Sequence, residues 1–72
     1  MKTFFYKFNG KHYFETDKYE GCIILGTGVR YSQQYKYVSH LELDCDLDDE
    51  EYDNLIEYME KNIHEIINAK NL

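Results

Sequence analysis

The sequence predicts an α+β fold, a four-stranded antiparallel β-sheet (two hairpins) packed by one C-terminal α-helix in the order ββββα. Three observations carry this reading. Aromatic and β-branched residues alternate with polar ones through the first two thirds of the chain, Asn9-Gly10 separates the first two such runs, and from Asp48 onward the apolar spacing changes from two to three and four. At 72 residues the chain supports one core, so residues 1–72 read as a single domain.

Thr3 to Phe8 and Lys11 to Thr16 are the first two strands. Asn-Gly favours a two-residue type I′ turn because both of its positions need positive φ. That turn sets Phe8 opposite Lys11, Tyr6 opposite Tyr13 and Phe4 opposite Glu15, with Phe5, Phe14, Lys7 and His12 on the other side. The third strand opens at Gly21 and runs through Cys22 to Leu25, with a bulge or bend expected at Gly26-Thr27-Gly28. Ser32-Gln33-Gln34 reads as the next turn. In the fourth strand Tyr35, Tyr37, Ser39, Leu41, Leu43 and Cys45 alternate with Lys36, Val38, His40, Glu42 and Asp44, giving one apolar and one mostly polar face.

The helix has the clearest signals. Asp48 as N-cap with Glu51 three residues on forms a capping box, and Leu47 with Tyr52 forms a hydrophobic staple. Tyr52, Leu55, Ile56, Met59, Ile63, Ile66 and Ile67 then follow the spacing of one buried stripe, with acids in the first turn and Lys61 and Lys70 toward the end, as the helix dipole favours.

Composition narrows the class. Hydrophobic content of 43% with 17% aromatic residues is too high for a disordered chain, and the longest apolar run, Cys22 to Leu25, is too short to cross a bilayer. Met1-Lys2 leads into alternating aromatics without the apolar stretch of a secretory signal, so a cytoplasmic location is expected, in a bacterial host cell. Eight Tyr, seven Lys and six Ile against one Ala and no Pro or Trp are what AT-rich codons produce, a pattern that fits low-GC bacteria, their phages and plasmids. Charge is divided: residues 1–40 hold six basic and three acidic side chains, net +3, and residues 41–72 hold two basic and eleven acidic, net −9. An acidic half repels phosphates and anionic lipid but draws in basic protein surfaces.

Within that half, Glu42, Asp44, Asp46, Asp48, Asp49, Glu50, Glu51 and Asp53 form a run of eight carboxylates with no basic residue among them. Capping and the helix dipole account for Asp48 to Glu51. They leave Glu42, Asp44, Asp46 and Asp53 unexplained, and crowded like charges favour an external cation, so the run is the candidate partner-binding surface. Calcium fits poorly: Asp46, Asp48, Glu50 and Glu57 occupy the first, third, fifth and twelfth positions of a calcium loop, but Glu51 stands where its turn needs Gly. No cofactor is expected. Zinc is the alternative, with His12, Cys22, His40 and Cys45 supplying the nitrogen and sulfur of a tetrahedral site. No enzyme activity is expected, because no third group orients a Cys–His pair and Gly26-Thr27-Gly28 is followed by neither the Lys nor the helix start of a phosphate loop.

One helix covers one face of a four-stranded sheet. Some of Phe4, Phe5, Tyr6, Phe8, Tyr13, Phe14, Tyr31, Tyr35 and Tyr37 should therefore stay exposed as an interface, for another protein or for a homodimer. Size, charge and the run from Glu42 to Asp53 together resemble the small acidic phage anti-CRISPR proteins that inhibit Cas9, and other phage DNA mimics. The resemblance implies a steric and electrostatic inhibitor in which Glu42, Asp44, Asp46, Asp49, Glu50 and Asp53 engage Arg and Lys of a nucleic-acid channel, with no direct contact to nucleic acid or membrane. A small zinc-stabilised module that docks through its aromatic face is the reading from another class.

Overall fold

The first hairpin follows from its turn. In the computed structural model, which describes residues 2–72, Asn9 and Gly10 both take positive φ, 51° and 77°, as a type I′ turn requires. They join β1 (Phe4–Phe8) to β2 (Lys11–Glu15) with Phe4 opposite Glu15, Tyr6 opposite Tyr13 and Phe8 opposite Lys11, the register expected from the sequence. Thr16 closes the next turn: its Oγ1 accepts from the N–H groups of Lys18 and Tyr19 at 3.0 and 2.8 Å, and its own N–H donates to the Tyr19 carbonyl at 2.7 Å.

Two long strands follow, β3 (Glu20–Arg30) and β4 (Gln33–Leu43). The turn between them is Tyr31-Ser32 rather than Ser32-Gln33-Gln34, and both residues have positive φ, 53° and 63°. These are the torsions of a type I′ turn held without Asn or Gly, set by the pairing of Arg30 with Gln33. The expected bulge also moves. Gly26 and Gly28 pair regularly with Tyr37 and Tyr35, while the register shifts one step earlier in β3: Ile24 pairs with His40 and Leu25 with Val38, leaving Ser39 as the extra residue.

That extra residue reverses the alternation of β4. Val38 and Leu41 both point into the core, whereas Tyr35 and Tyr37 lie on the opposite face from Leu41 and Leu43, so the single apolar face expected for this strand is split in two. The glycines then have a packing role, because a Cβ built on Gly26 or Gly28 would collide with the ring of Tyr37 or Tyr35. These rings lie over bare backbone in a strand that sequence alternation alone would have turned inward.

Asp48 caps helix α1 (Asp49–Lys61), its Oδ1 accepting from the Glu51 N–H at 2.8 Å. The reciprocal half of the expected capping box is absent, since Glu51 Oε2 instead accepts from the Tyr19 hydroxyl at 3.1 Å. The expected single helix breaks at Asn62, whose Nδ2 donates to the Tyr58 carbonyl at 2.8 Å and whose N–H turns back to Met59 at 3.0 Å. Helix α2 (Ile63–Ile67) follows, and beyond it a short β5 (Lys70–Asn71) lies alongside β1, parallel to it. The sheet is therefore mixed and five-stranded, in the order β4-β3-β2-β1-β5, where four antiparallel strands were expected.

Both helices cover one sheet face. Phe14, Ile23, Val38 and Leu41 from the sheet meet Leu55, Met59 and Ile66 from the helical stripe, with Phe5, Leu25, Tyr52 and Ile63 at the margin. Helix α1 also closes the outer edge of β4: Val38 N–H donates to Glu60 Oε1 at 2.7 Å and Leu41 N–H to the Tyr52 hydroxyl at 2.9 Å. The odd spacing of those two outward amides is the mark of the Ser39 bulge. No helix among the described residues is long and apolar enough to cross a membrane.

Candidate protein-binding surface

The eight carboxylates from Glu42 to Asp53 leave the end of β4, pass through the connecting loop and enter the first turns of α1, and all eight are exposed. Three have internal roles: Asp48 caps the helix, Glu51 accepts from Tyr19, and Asp44 Oδ1 accepts weakly from the Glu20 N–H at 3.4 Å. The side chains of Glu42, Asp46, Asp49, Glu50 and Asp53 make no hydrogen bond or ion pair with a described residue. Among the described residues the one ion pair is Lys61 with Glu57 at 3.3 Å, one turn apart and formed by residues outside this run. No cation among the described residues forms an ion pair with the run.

Folding adds two acids that the linear run does not contain. Glu15 and Glu20 are cross-strand partners on β2 and β3, and the Glu20 carbonyl accepts from the Asp44 N–H at 3.2 Å, which joins them to the end of β4. Like charges directly opposite one another weaken a sheet. Their signal was in the sequence only once β2 was known to pair with β3. After desolvation, these two carboxylates are the leading reason that the Tyr6 hydroxyl is held above its usual pKa.

Away from the acids, the same outer face carries open aromatic rings together with Lys11, His40 and Arg30. Phe4 stacks on Tyr6 with ring centroids 5.4 Å apart, and Tyr6 on Tyr13 across the strands at 5.3 Å. Tyr35 and Tyr37 form a tilted pair at 6.0 Å, with the Arg30 guanidinium 5.6 Å from the Tyr35 ring centroid. Phe4 (52% exposed), Phe8 (48%), Tyr35 (43%) and Tyr37 (39%) remain open to solvent, and Tyr31 at the hairpin tip is 93% exposed. Of the aromatics named from the sequence, Phe5 and Phe14 alone turn to the helices.

The four candidate zinc ligands are not brought together. Cys22 and His40 share the outer face, diagonal to one another across β3 and β4. His12 lies on the helix side, where its Nδ1 donates to the Ile66 carbonyl at 3.3 Å, and Cys45 is exposed beyond the end of β4. Among the described residues no three His, Cys, Asp or Glu side chains gather as metal ligands. Both cysteines are free thiols. Burial, then Glu42, pushes the Cys22 thiol up, and desolvation, then Asp44, does the same for Cys45, so both are held away from the reactive thiolate.

No protein-family model matches this chain, and no curated protein or solved structure is significantly similar to it.

Proposed function

We propose that this protein is a protein-binding inhibitor, encoded by a phage or mobile element, whose acidic end occupies the basic nucleic-acid channel of a nuclease such as Cas9. The observation that carries the reading is the row of exposed carboxylates between Glu42 and Asp53, with which no cation among the described residues forms an ion pair. Clustered like charge costs folding stability. A partner surface of Arg and Lys would offset that cost and be steered to it from a distance, with charge-assisted hydrogen bonds on contact. Glu42, Asp46, Asp49, Glu50 and Asp53 are the residues best placed for this, because no fold-forming bond with a described residue holds their side chains. The inhibitor would act by occupation and carry out no chemistry of its own.

The test is competition. Binding to the nuclease should displace DNA or guide RNA and should weaken steeply with added salt. Asp46→Lys with Asp53→Lys reverses two charges without removing the Asp48 cap and should abolish binding. Full affinity in that double variant, or affinity insensitive to salt, removes the reading.

A second reading, a small interaction module that docks through its aromatic sheet face, is favoured by the open row of Phe4, Tyr6 and Tyr13. It needs no metal.

A further inference from the structure

The pairing of β2 with β3 stops at His12 and Ile23, whereas β3 runs on to Arg30 with β4 alone beside it. The other edge of β3 is therefore open from Leu25 onward. The turn fixes which backbone groups that edge presents. Arg30 and Gln33 flank two residues of positive φ, and the pair that closes such a turn exchanges both of its backbone bonds. Alternation then joins Gly28 to Tyr35 and Gly26 to Tyr37 in the same way, and turns the N–H and C=O groups of Leu25, Thr27 and Val29 away from β4. The Val38 N–H, which leaves the ladder for Glu60, sets the same phase, since Val38 is the partner of Leu25. No described residue bonds to the outward groups of Thr27 and Val29. Neither Pro nor a charged side chain blunts this edge before Arg30, while α1 seals part of the β4 edge.

We propose that the open edge of β3 accepts an acidic, extended segment of a partner protein as an added antiparallel strand in line with β2. Backbone bonds supply the attachment, as in other strand additions. At roughly 3.4 Å per residue the edge from Leu25 to Arg30 offers about 20 Å, room for about six residues. Charge selects the occupant. The stretch from Leu25 to Val38 holds Arg30 and Lys36 and no Asp or Glu. Where β2 ends, a notch of about 320 Å³ is lined by Gly10, Lys11, His12, Leu25 and Lys36, with Glu42 as its one acid. Lys36 is close enough to His12 to oppose its protonation. Cations thus stand at both ends of the open edge, Lys11 and Lys36 at the notch and Arg30 at the tip, and an acidic strand laid between them is matched in charge. The exposed Val29 adds an apolar contact. A second copy pairing through the same edge would bring like cations together, and a nucleic acid has no row of amides to answer the backbone.

The probe is a capped hexapeptide alternating Glu with Val, titrated into the isotope-labelled full chain. Amide resonances of Thr27 and Val29 should shift and their exchange with water should slow, while those of α1 stay fixed. Thr27→Pro removes an outward N–H that the fold does not use, and should weaken binding roughly tenfold with the hairpin intact. Lys36→Glu should weaken binding of the Glu probe and improve that of a matching Lys probe. Should Thr27→Pro fold poorly, a Glu probe N-methylated at every residue gives the same decision on the wild type, because it keeps the side chains and loses the backbone donors. The proposal is overturned if no shift follows the edge at millimolar probe, if the Glu and Lys probes bind the wild type equally, or if the methylated probe binds as well as the parent. Shifts centred on Phe4, Tyr6 and Tyr13 would put the peptide on the sheet face and overturn it too. A chain that dimerises, and that Thr27→Pro makes monomeric, assigns the edge to a second copy and overturns the acidic occupant. Asp46 and Asp53 belong to the loop after β4 and to α1, so loss of nuclease binding and loss of the peptide are separate results.

Discussion

The two faces of this sheet are made by the same strands and behave as different materials. On the helix side Phe14, Ile23 and Leu41 lose nearly all contact with water beneath Met59 and Ile66. On the other side Phe4, Tyr6 and Tyr13 stack on one another yet keep a path to solvent. The first face supplies the hydrophobic free energy that holds a chain of this size folded, and the second leaves aromatic surface open to solvent. A small domain can leave so many rings exposed only if its single core is well filled.

The largest expected effect breaks that contrast at its inner face. Met59→Ala empties a fully buried position and should cost about 2–5 kcal/mol, which approaches the whole stability of a domain this small; urea denaturation would show a largely unfolded variant. The matching outer change, Tyr13→Ala, removes a stacked cross-strand pair and should cost only about 0.5–1.5 kcal/mol. Equal losses at the two sites would mean that the outer face is structural rather than free for a partner.

Next in size is the boundary between the faces, where α1 seals the edge of β4. Glu60→Ala leaves the Val38 N–H without its acceptor and should cost about 1–3 kcal/mol in the same measurement, whereas Glu60→Gln keeps a carbonyl acceptor and should recover most of it. A smaller change of opposite sign is expected at the tip of the arm. Replacing Tyr31-Ser32 by Asn-Gly supplies residues that accept positive φ and should raise stability by about 1–2 kcal/mol. If the Tyr31 ring serves a partner, that same variant should bind less well while melting higher.

These sites also show what could be read from the chain. The first hairpin was legible because Asn9-Gly10 carries its own turn chemistry, and the start of α1 was legible because Asp48 is a good cap ahead of a regular stripe. The second turn was not, since nothing about Tyr31-Ser32 announces positive φ; pairing along the whole of β3 and β4 imposes it. The Ser39 bulge was hidden by an alternation from Tyr35 to Leu43 that looks unbroken, although the structure divides it between two faces. Lys70-Asn71 has no strand pattern at all, and its place in the sheet comes from pairing with β1, extended by the Leu72 N–H bond to the Lys7 carbonyl. For the candidate surface, the run from Glu42 to Asp53 was visible as a run, whereas Glu15 and Glu20 reach it only through strand pairing.

The smallest expected effect sharpens the comparison by acidifying one face alone. His12 is tucked on the helix side, where burial is the main cause holding its pKa below the ordinary 6.5; Lys7 and Lys36 push the same way, and the Nδ1–H bond to the Ile66 carbonyl opposes them. Because the folded chain binds this proton less readily than the unfolded chain, the neutral ring's contribution is complete above pH 6.5 and declines as pH falls below it. Stability should therefore drop on acidification in a way that His12→Gln removes, measured as the difference between urea midpoints of the two proteins across that range. The drop should first loosen α2, which His12 ties to β2, and with it the β5 strap that follows, so amides of Ile66 to Leu72 should exchange faster before those of β3. Uniform loss across the sheet would place the titrating group elsewhere.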